Sequence, residues 1–134
     1  MKKKIFNIFI ITILLTSCGG GSSNKKRNLD SSLFKYAAFI RWSNFDAALT
    51  YLNPDDKSII PSSFELQRLK QFKVSQYLES PITPGNEENI VFQNVEIQLY
   101  NIHTNIARTI YDHQSWGYND KLKQWFLTSG LPKL

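Results

Sequence analysis

The most regular stretch of this chain is residues 90–102, IVFQNVEIQLYNI, in which apolar and polar side chains alternate. Val91, Val95, Ile97 and Leu99 share one parity within it. Successive side chains of a β-strand point to opposite faces of the sheet, so this alternation predicts a long strand with one buried face. A strand of this kind needs partners, and the flanking sequence supplies candidates for them.

Three further strands are predicted around it. Phe72, Val74 and Leu78 share one parity within residues 69–82, and a strand over about residues 106–118 follows the central one. A turn at residues 119–120 then leads into a last strand over residues 122–128. Short connections favour antiparallel neighbours, so we expect four antiparallel strands in meander order. In this arrangement Trp116 and Trp125 would pair across the last hairpin.

The segment before the strands has a helical period instead. Apolar residues recur at i, i+4, i+7, i+8 and i+11 from residue 29, which predicts a helix with one core-facing stripe, namely Leu29, Leu33, Tyr36, Ala37 and Ile40. A second helix is expected from Ser43 or Asn44, because Ser43 followed by Asp46 resembles a capping box. A third helical turn is expected around residues 63–66. The sequence therefore predicts an α+β fold, in which two or three N-terminal helices pack on a curved four-stranded antiparallel meander, a cone-like roll.

The first residues have the layout of a secretory signal. Lys2, Lys3 and Lys4 precede an apolar run over residues 5–15, and small residues follow. The run is too short to span a bilayer, which takes roughly 20 apolar residues. We therefore expect residues 1–17 to be a signal peptide, residues 18–28 to be a flexible tether, and residues 29–134 to form a single domain.

The residues around the only cysteine carry a resemblance of their own. Leu15-Thr16-Ser17-Cys18 resembles the lipobox of bacterial lipoproteins. The resemblance implies cleavage before Cys18, a thioether-linked diacylglycerol on its sulfur and acylation of its new amine, and therefore a membrane partner. Gly19 stands where an inner-membrane retention signal would have an aspartate. The expected location is the cell envelope, lipid-anchored at the periplasmic face of the outer membrane.

The charge distribution argues against nucleic acid as a partner. The chain has a formal net charge of +5, but residues 28–134 hold ten Lys and Arg against eleven Asp and Glu. The excess of positive charge thus belongs to the signal and the tether. A nucleic-acid-binding domain should carry a basic stripe of its own. We expect no nucleic-acid partner.

Metal and cofactor sites are not indicated either. His103 and His113 are the two histidines, and neither has a Glu or Asp at ligand spacing. Cys18, once lipidated, offers neither a disulfide nor a thiolate ligand. The chain lacks a glycine-rich phosphate loop and a nucleophile elbow. We expect no cofactor and no metal.

Two groups of residues carry a resemblance that covers the proposed domain. They are YAAFIRW at residues 36–42 with FDAAL at 45–49, and WGY at 116–118 with WFLTSGLP at 125–132. Together with the order of elements, they resemble small lipoproteins of Gram-negative bacteria whose domain is of the nuclear transport factor two-like (cystatin-like cone) type. The resemblance implies that cone fold, whose members include isomerases, polyketide cyclases, dehydratases and non-catalytic binders. Fold alone does not decide among them.

Two interpretations of the aromatic residues stay open. Tyr36, Trp42 and Trp116 could line an open mouth that binds a ligand, since aromatic side chains with polar tips line apolar sites. They could also be ordinary core residues. Trp42 lies off the apolar stripe of the first helix, which favours the mouth for this residue.

Asp112 and His113 are the candidates for acid or base chemistry, because enzymes of the cone fold place an Asp or His in an apolar pocket. Neighbours in a strand point to opposite faces, so the two cannot form a dyad with each other. Asp112 should share a face with Ile110 and Gln114, and His113 with Thr109 and Tyr111. The sequence predicts an envelope lipoprotein that binds a partner protein or a small apolar ligand without catalysis. The alternatives are a cone-fold isomerase, cyclase or hydrolase using Asp112 or His113, and a scaffold subunit of an envelope complex.

Overall fold

The computed structural model describes residues 20–134 as helices packed on one curled antiparallel sheet. The helices are α1 (Gly20–Arg41), α2 (Phe45–Ala48), which runs into a 3-10 turn (Leu49–Tyr51), and α3 (Ser63–Leu69). The strands are β1 (Phe72–Glu79), β2 (Thr83–Pro84), β3 (Ile90–Asn101), β4 (Ala107–Asn119) and β5 (Gln124–Leu127). The sheet order is β1-β3-β4-β5, and the two-residue β2 pairs with β3. The predicted α+β fold, with N-terminal helices packed on a curved four-stranded antiparallel meander, is confirmed, and the curled sheet forms a half-barrel.

The core lies between α1 and the concave face of the sheet. Val95, Ile97 and Leu99 on β3 are buried, as their shared parity predicts. They face the buried stripe of α1, which includes Leu29, Tyr36 and Ile40. On β4 the even-numbered residues face inward, because Val95 pairs with Asp112 and Ile97 pairs with Ile110.

Helix α1 begins earlier than the sequence pattern predicts. It starts at Gly20 rather than near Leu29, so residues 20–28, expected as a flexible tether, are helical. Lys25 connects this segment to the sheet: its carbonyl accepts a hydrogen bond from Trp125 Nε1 at 3.0 Å, and its Nζ lies 3.1 Å from Asn89 Oδ1. The ammonium also lies 3.5 Å from the carboxylate of Asp120. These contacts are polar and distant in sequence, so an apolar periodicity cannot reveal them.

Helix α2 begins within the expected range, but the capping box suggested for Ser43 does not form. Asn44 is the N-cap, and its side chain accepts a hydrogen bond from the Ala47 amide. Ser43 has a positive φ of 55°. Its hydroxyl instead accepts a hydrogen bond from the Val74 amide of β1 at 2.9 Å. The residue that resembled a cap therefore joins the end of α1 to the edge of the sheet.

A β-bulge in β1 changes which residues of that strand face inward. Val74 pairs with Leu99 and Gln76 pairs with Gln98, so Ser75 is the extra residue. Beyond a bulge the parity of a strand reverses. As a result Tyr77 is 6% exposed and Leu78 is 48% exposed, so the predicted burial of Leu78 is wrong.

The hairpin between β4 and β5 has a different register from the predicted one. Trp116 pairs with Leu127, and Tyr118 pairs with Trp125 at a ring-centroid distance of 5.3 Å. The predicted Trp116–Trp125 pair is therefore wrong. The loop between the strands is Asp120 to Lys123, whereas a Trp116–Trp125 pair requires a loop at residues 119–122. Lys123 takes a positive φ of 53° in the loop.

Candidate functional site

A buried polar cluster lies on the inner face of the sheet, centred on Gln114. The side-chain nitrogen of Gln114 donates to the Tyr77 hydroxyl at 3.0 Å and to Asp112 Oδ2 at 2.9 Å. Its oxygen accepts a hydrogen bond from Trp116 Nε1 at 3.2 Å. Both amide protons and the carbonyl are thereby used, which sets the orientation of the amide group. We call Tyr77, Asp112, Gln114, Trp116 and Tyr36 the Gln114 cluster.

Local structure explains how these side chains meet. Asp112, Gln114 and Trp116 are alternate residues of β4 and therefore share its inner face. Tyr77 reaches the same side because the bulge at Ser75 turns it inward. If the same sequence formed a regular strand without the bulge, Leu78 would take the inward position and Gln114 would lose a partner.

Tyr36 completes the cluster from α1. Its ring stands edge-on to Trp116, with the centroids 5.3 Å apart and an interplanar angle of 84°. Its hydroxyl is the one buried side-chain polar atom within residues 20–134 that has no hydrogen-bond partner. Burial raises the pKa of Tyr36 well above its ordinary value, and the nearby Asp112 carboxylate raises it further. Tyr36 therefore keeps its proton, and the hydroxyl remains a donor.

Asp112 has the electrostatics of a desolvated acid. Burial raises its pKa above the ordinary value of 3.8. The hydrogen bond from Gln114 and the charge of His113 oppose this change but do not cancel it. A carboxyl group in such surroundings takes up a proton at a higher pH than a solvated one does.

Asp112 also borders a cleft at the open edge of β4. Strand β5 ends at Leu127, opposite Trp116, so it covers only the last part of β4. Beyond it the chain crosses the edge at Ser129, whose hydroxyl accepts a hydrogen bond from the Ser115 amide at 3.2 Å. The cleft has a volume of about 220 Å³, and Ile110, Asp112, His113, Ser129 and Leu131 are among its lining residues.

His113 lies on the outer face of the sheet, as expected from strand geometry. Its Nδ1 is 2.6 Å from Asn94 Oδ1, and the residue is exposed. It reaches the cleft only because a sheet edge is accessible from both faces. The predicted separation of Asp112 and His113 is confirmed, since Gln114 and not His113 is hydrogen-bonded to the Asp112 carboxylate.

A second, larger cleft adjoins the first across the C-terminal segment. It has a volume of about 380 Å³ and lies between α3 and residues 129–134. Ser129, Leu131 and Lys133 border both clefts. The C-terminal segment therefore separates the two clefts, and the residues that line the larger one include none of the Gln114 cluster.

The three aromatic residues proposed as a ligand mouth do not come together. Tyr36 and Trp116 are fully buried and contact each other, whereas Trp42 is exposed at the end of α1. Their role in ligand binding stays a prediction. Cys18 lies outside the described residues. Gln114 and Tyr77 were not singled out from the sequence, although a glutamine at an inward parity, next to Asp112 and Trp116, is a usable signal for Gln114.

Two further findings concern residues 20–134 as a whole. No helix among them is both long and apolar enough to cross a membrane. They also contain no group of three or more His, Cys, Asp and Glu side chains that could hold a metal ion.

Comparison with family models, with curated proteins and with solved structures finds no match to this chain. Arguments about its function therefore start from the Gln114 cluster and from the N-terminal sequence.

Proposed function

We propose that this protein is an envelope lipoprotein, anchored through Cys18, whose domain binds a small ligand beside Asp112 without catalysis. The observation that carries the ligand site is Asp112, whose carboxyl group is mostly buried and which is itself one of the residues that line a cleft. The ligand is a small, largely apolar molecule with one hydrogen-bond donor. The anchor rests on the signal layout and the lipobox-like run LTSC at residues 15–18.

The energetics of the cluster support a binding role. Burying a carboxyl group without a charged partner disfavours the folded state, and so does burying a hydroxyl without a hydrogen bond. The protein holds one of each, at Asp112 and Tyr36. Groups that cost stability are typical of functional sites, where they serve a ligand rather than the fold.

The size of the cleft limits the ligand. A volume of about 220 Å³ is below the roughly 300–1,000 Å³ of sites for drug-sized molecules. Ile110 and Leu131 provide apolar contacts, and the Asp112 carboxylate accepts a hydrogen bond from the ligand. The deeper interior is filled by Tyr36 and Trp116, so it offers no further room.

Native mass spectrometry of the protein released from its own envelope tests this proposal. The wild type should carry a small molecule, and Asp112→Asn should lose it because an amide is a weaker acceptor than a carboxylate. Asp55→Asn makes the same chemical change at an exposed loop residue and should keep it. A wild type without any ligand would instead support a scaffold role.

An acid-base enzyme is the second candidate, favoured by the raised pKa of Asp112. A carboxyl group whose pKa is raised by burial is a common general acid or base in enzymes. The same mass spectra separate the two candidates. An enzyme would retain product in the wild type and a different compound, its substrate, in Asp112→Asn, and chromatography of the released molecules would separate the two even where an isomerisation leaves the mass unchanged. A binder would simply lose its ligand.

The anchor has a separate test in the native host. Cys18→Ala removes the sulfur that would carry the diacylglycerol. The protein should therefore move from the membrane fraction to the soluble fraction, because stable anchoring takes several acyl chains. If the variant still fractionated with membranes after a salt wash, the proposed anchor would be wrong.

A further inference from the structure

The outward surface of α1 carries two large aromatic side chains that the fold does not use. Phe34 is 72% exposed and Trp42 is 82% exposed. The Trp42 amide donates to the Ala38 carbonyl at 3.0 Å, so Trp42 continues the helical path beyond Arg41. Residues spaced by four lie on one side of a helix, which places Phe34, Ala38 and Trp42 along the same surface.

This surface points away from the core. Leu29, Tyr36 and Ile40 form the buried stripe on the opposite side of α1. Neither exposed aromatic residue can therefore be explained by packing within the domain. We call the surface formed by Arg27, Phe34, Lys35, Ala38 and Trp42 the outer face of α1.

Positive charge accompanies the aromatic residues. Arg27 and Lys35 lie on the outer face and make no ion pair within residues 20–134. Asp30 is the only acidic residue of α1. Arg41 is engaged elsewhere, since it contacts Glu79 at 3.5 Å. A helix face with Trp, Phe and unpaired basic residues is suited to binding an anionic membrane surface, because the aromatic rings enter the interface and the basic groups attract the head groups.

The position of Cys18 brings this face close to a bilayer. Only Gly19 separates Cys18 from the first residue of α1, and two residue steps span at most about 7 Å. If Cys18 carries the lipid, as proposed above, the first turn of α1 lies at the membrane. The 22 residues of α1 are about 33 Å long, so the helix can either project from the surface or lie along it.

We propose that α1 lies along an anionic phospholipid surface, with Phe34 and Trp42 inserted at the interface and Arg27 and Lys35 over the lipid head groups. This proposal rests on the lipidation of Cys18. A projecting helix would leave Trp42 in water about 33 Å from the bilayer. A helix that lies flat buries both aromatic residues and neutralises both basic residues. The sheet then faces away from the membrane.

Tryptophan fluorescence can observe this directly, because the three tryptophans differ so much in exposure. Trp116 is 0% exposed and Trp125 is 4% exposed, so collisional quenchers act mainly on Trp42. The full-length lipidated protein is incorporated into vesicles of phosphatidylethanolamine and phosphatidylglycerol, with and without brominated acyl chains. The expected result is quenching of Trp42 by the brominated lipid and its protection from aqueous iodide.

A matched reporter on the opposite surface serves as control. Tyr111 is exposed on the outer face of the sheet, so Tyr111→Trp combined with Trp42→Phe moves the accessible tryptophan away from the membrane. This reporter should be quenched by iodide and not by brominated lipid. Arg27→Glu with Lys35→Glu, in a chain that keeps Trp42, should abolish most of the bromine quenching while Cys18 keeps the protein on the vesicles.

The outcomes separate this proposal from the anchor itself. Vesicle flotation reports the anchor, and quenching reports the orientation of α1. A protein that floats with the vesicles but leaves Trp42 open to iodide would overturn the proposal and leave the anchor intact. Protection of Trp42 from iodide without bromine quenching would also overturn it, because a second copy or another protein would then cover the face.

Discussion

The buried hydroxyls of Tyr36 and Tyr77 flank the same polar cluster, but only that of Tyr77 has a hydrogen-bond partner. Gln114 donates to Tyr77 at 3.0 Å, and no protein atom within residues 20–134 bonds to the Tyr36 hydroxyl. Both phenols are buried, and burial raises the pKa of each. The two residues therefore differ in what their hydroxyl contributes to stability.

Removing the two hydroxyls should have opposite effects on the free energy of unfolding. Tyr36→Phe removes an unpartnered group, whose burial costs about 1–3 kcal/mol, and should stabilise the protein. Tyr77→Phe removes a partnered hydroxyl and should destabilise it by about 0.5–1.5 kcal/mol. Urea unfolding of both variants measures the difference. A larger loss for Tyr36→Phe than for Tyr77→Phe would show that the Tyr36 hydroxyl is bonded within the folded protein.

Asp112→Asn should change how stability depends on pH. Between the ordinary Asp pKa of 3.8 and the raised pKa of the folded state, the native protein binds more protons than the unfolded chain. The free energy of unfolding of the wild type therefore falls as the pH rises through this window. The variant has no such loss and should be the more stable protein at neutral pH.

Thermal midpoints measured from acidic to neutral pH test that expectation. The curves of the wild type and Asp112→Asn should converge at acidic pH, where both side chains are uncharged. They should separate as the pH rises, whereas Asp55→Asn, at an exposed residue, should not reproduce this stabilisation. Parallel curves for the wild type and Asp112→Asn would mean that the Asp112 carboxyl group is solvated.

The contact between Ser43 and the Val74 amide should be visible in both stability and exchange. Ser43→Ala removes the hydroxyl that accepts from the Val74 amide and keeps a side chain at a φ of 55°. It should lower the free energy of unfolding by about 1–3 kcal/mol. Ser43→Gly also removes the acceptor but relieves the backbone conformation, and it should cost less. Hydrogen exchange at the Val74 amide should accelerate in both variants. Equal stability of the Ala and Gly variants would contradict the assigned φ.

The first turns of α1 should depend on Trp125. Trp125→Phe keeps an aromatic ring but removes the hydrogen bond to the Lys25 carbonyl, at a cost of about 1 kcal/mol. Hydrogen exchange over residues 20–28 should accelerate, while the helix from Leu29 onward keeps its protection through its buried stripe. Trp42→Phe, at an exposed residue, is the control and should leave exchange unchanged. Unaltered exchange in Trp125→Phe would show that the hydrogen bond from Trp125 to the Lys25 carbonyl does not stabilise residues 20–28.

The periodicity of apolar residues predicts those elements of the fold in which the pattern runs without interruption. Strand β3 pairs without an irregularity, and the shared parity of Val95, Ile97 and Leu99 places all three in the core. Strand β1 contains a bulge at Ser75, which leaves no mark in an apolar pattern. For that reason the pattern places Leu78 on one face with Phe72 and Val74, whereas in the structure Tyr77 is the buried residue.

The site was less predictable than the fold, because its contacts join distant residues. The parity of β4 placed Gln114 on the same face as Asp112, but the hydrogen bond to Tyr77 crosses 37 positions of the chain. The start of α1 is a similar case: residues 20–28 contain no apolar stripe, and Trp125 bonds to a backbone carbonyl there. Neither contact has a local sequence signature.

The central claim is that Asp112 is a desolvated acid at the mouth of a cleft. One measurement addresses it most directly, namely NMR titration of the side-chain carboxyl carbons in the folded protein. The account predicts that Asp112 ionises above 3.8, because burial penalises its charged form. Ionisation of Asp112 at or below 3.8 would contradict the account.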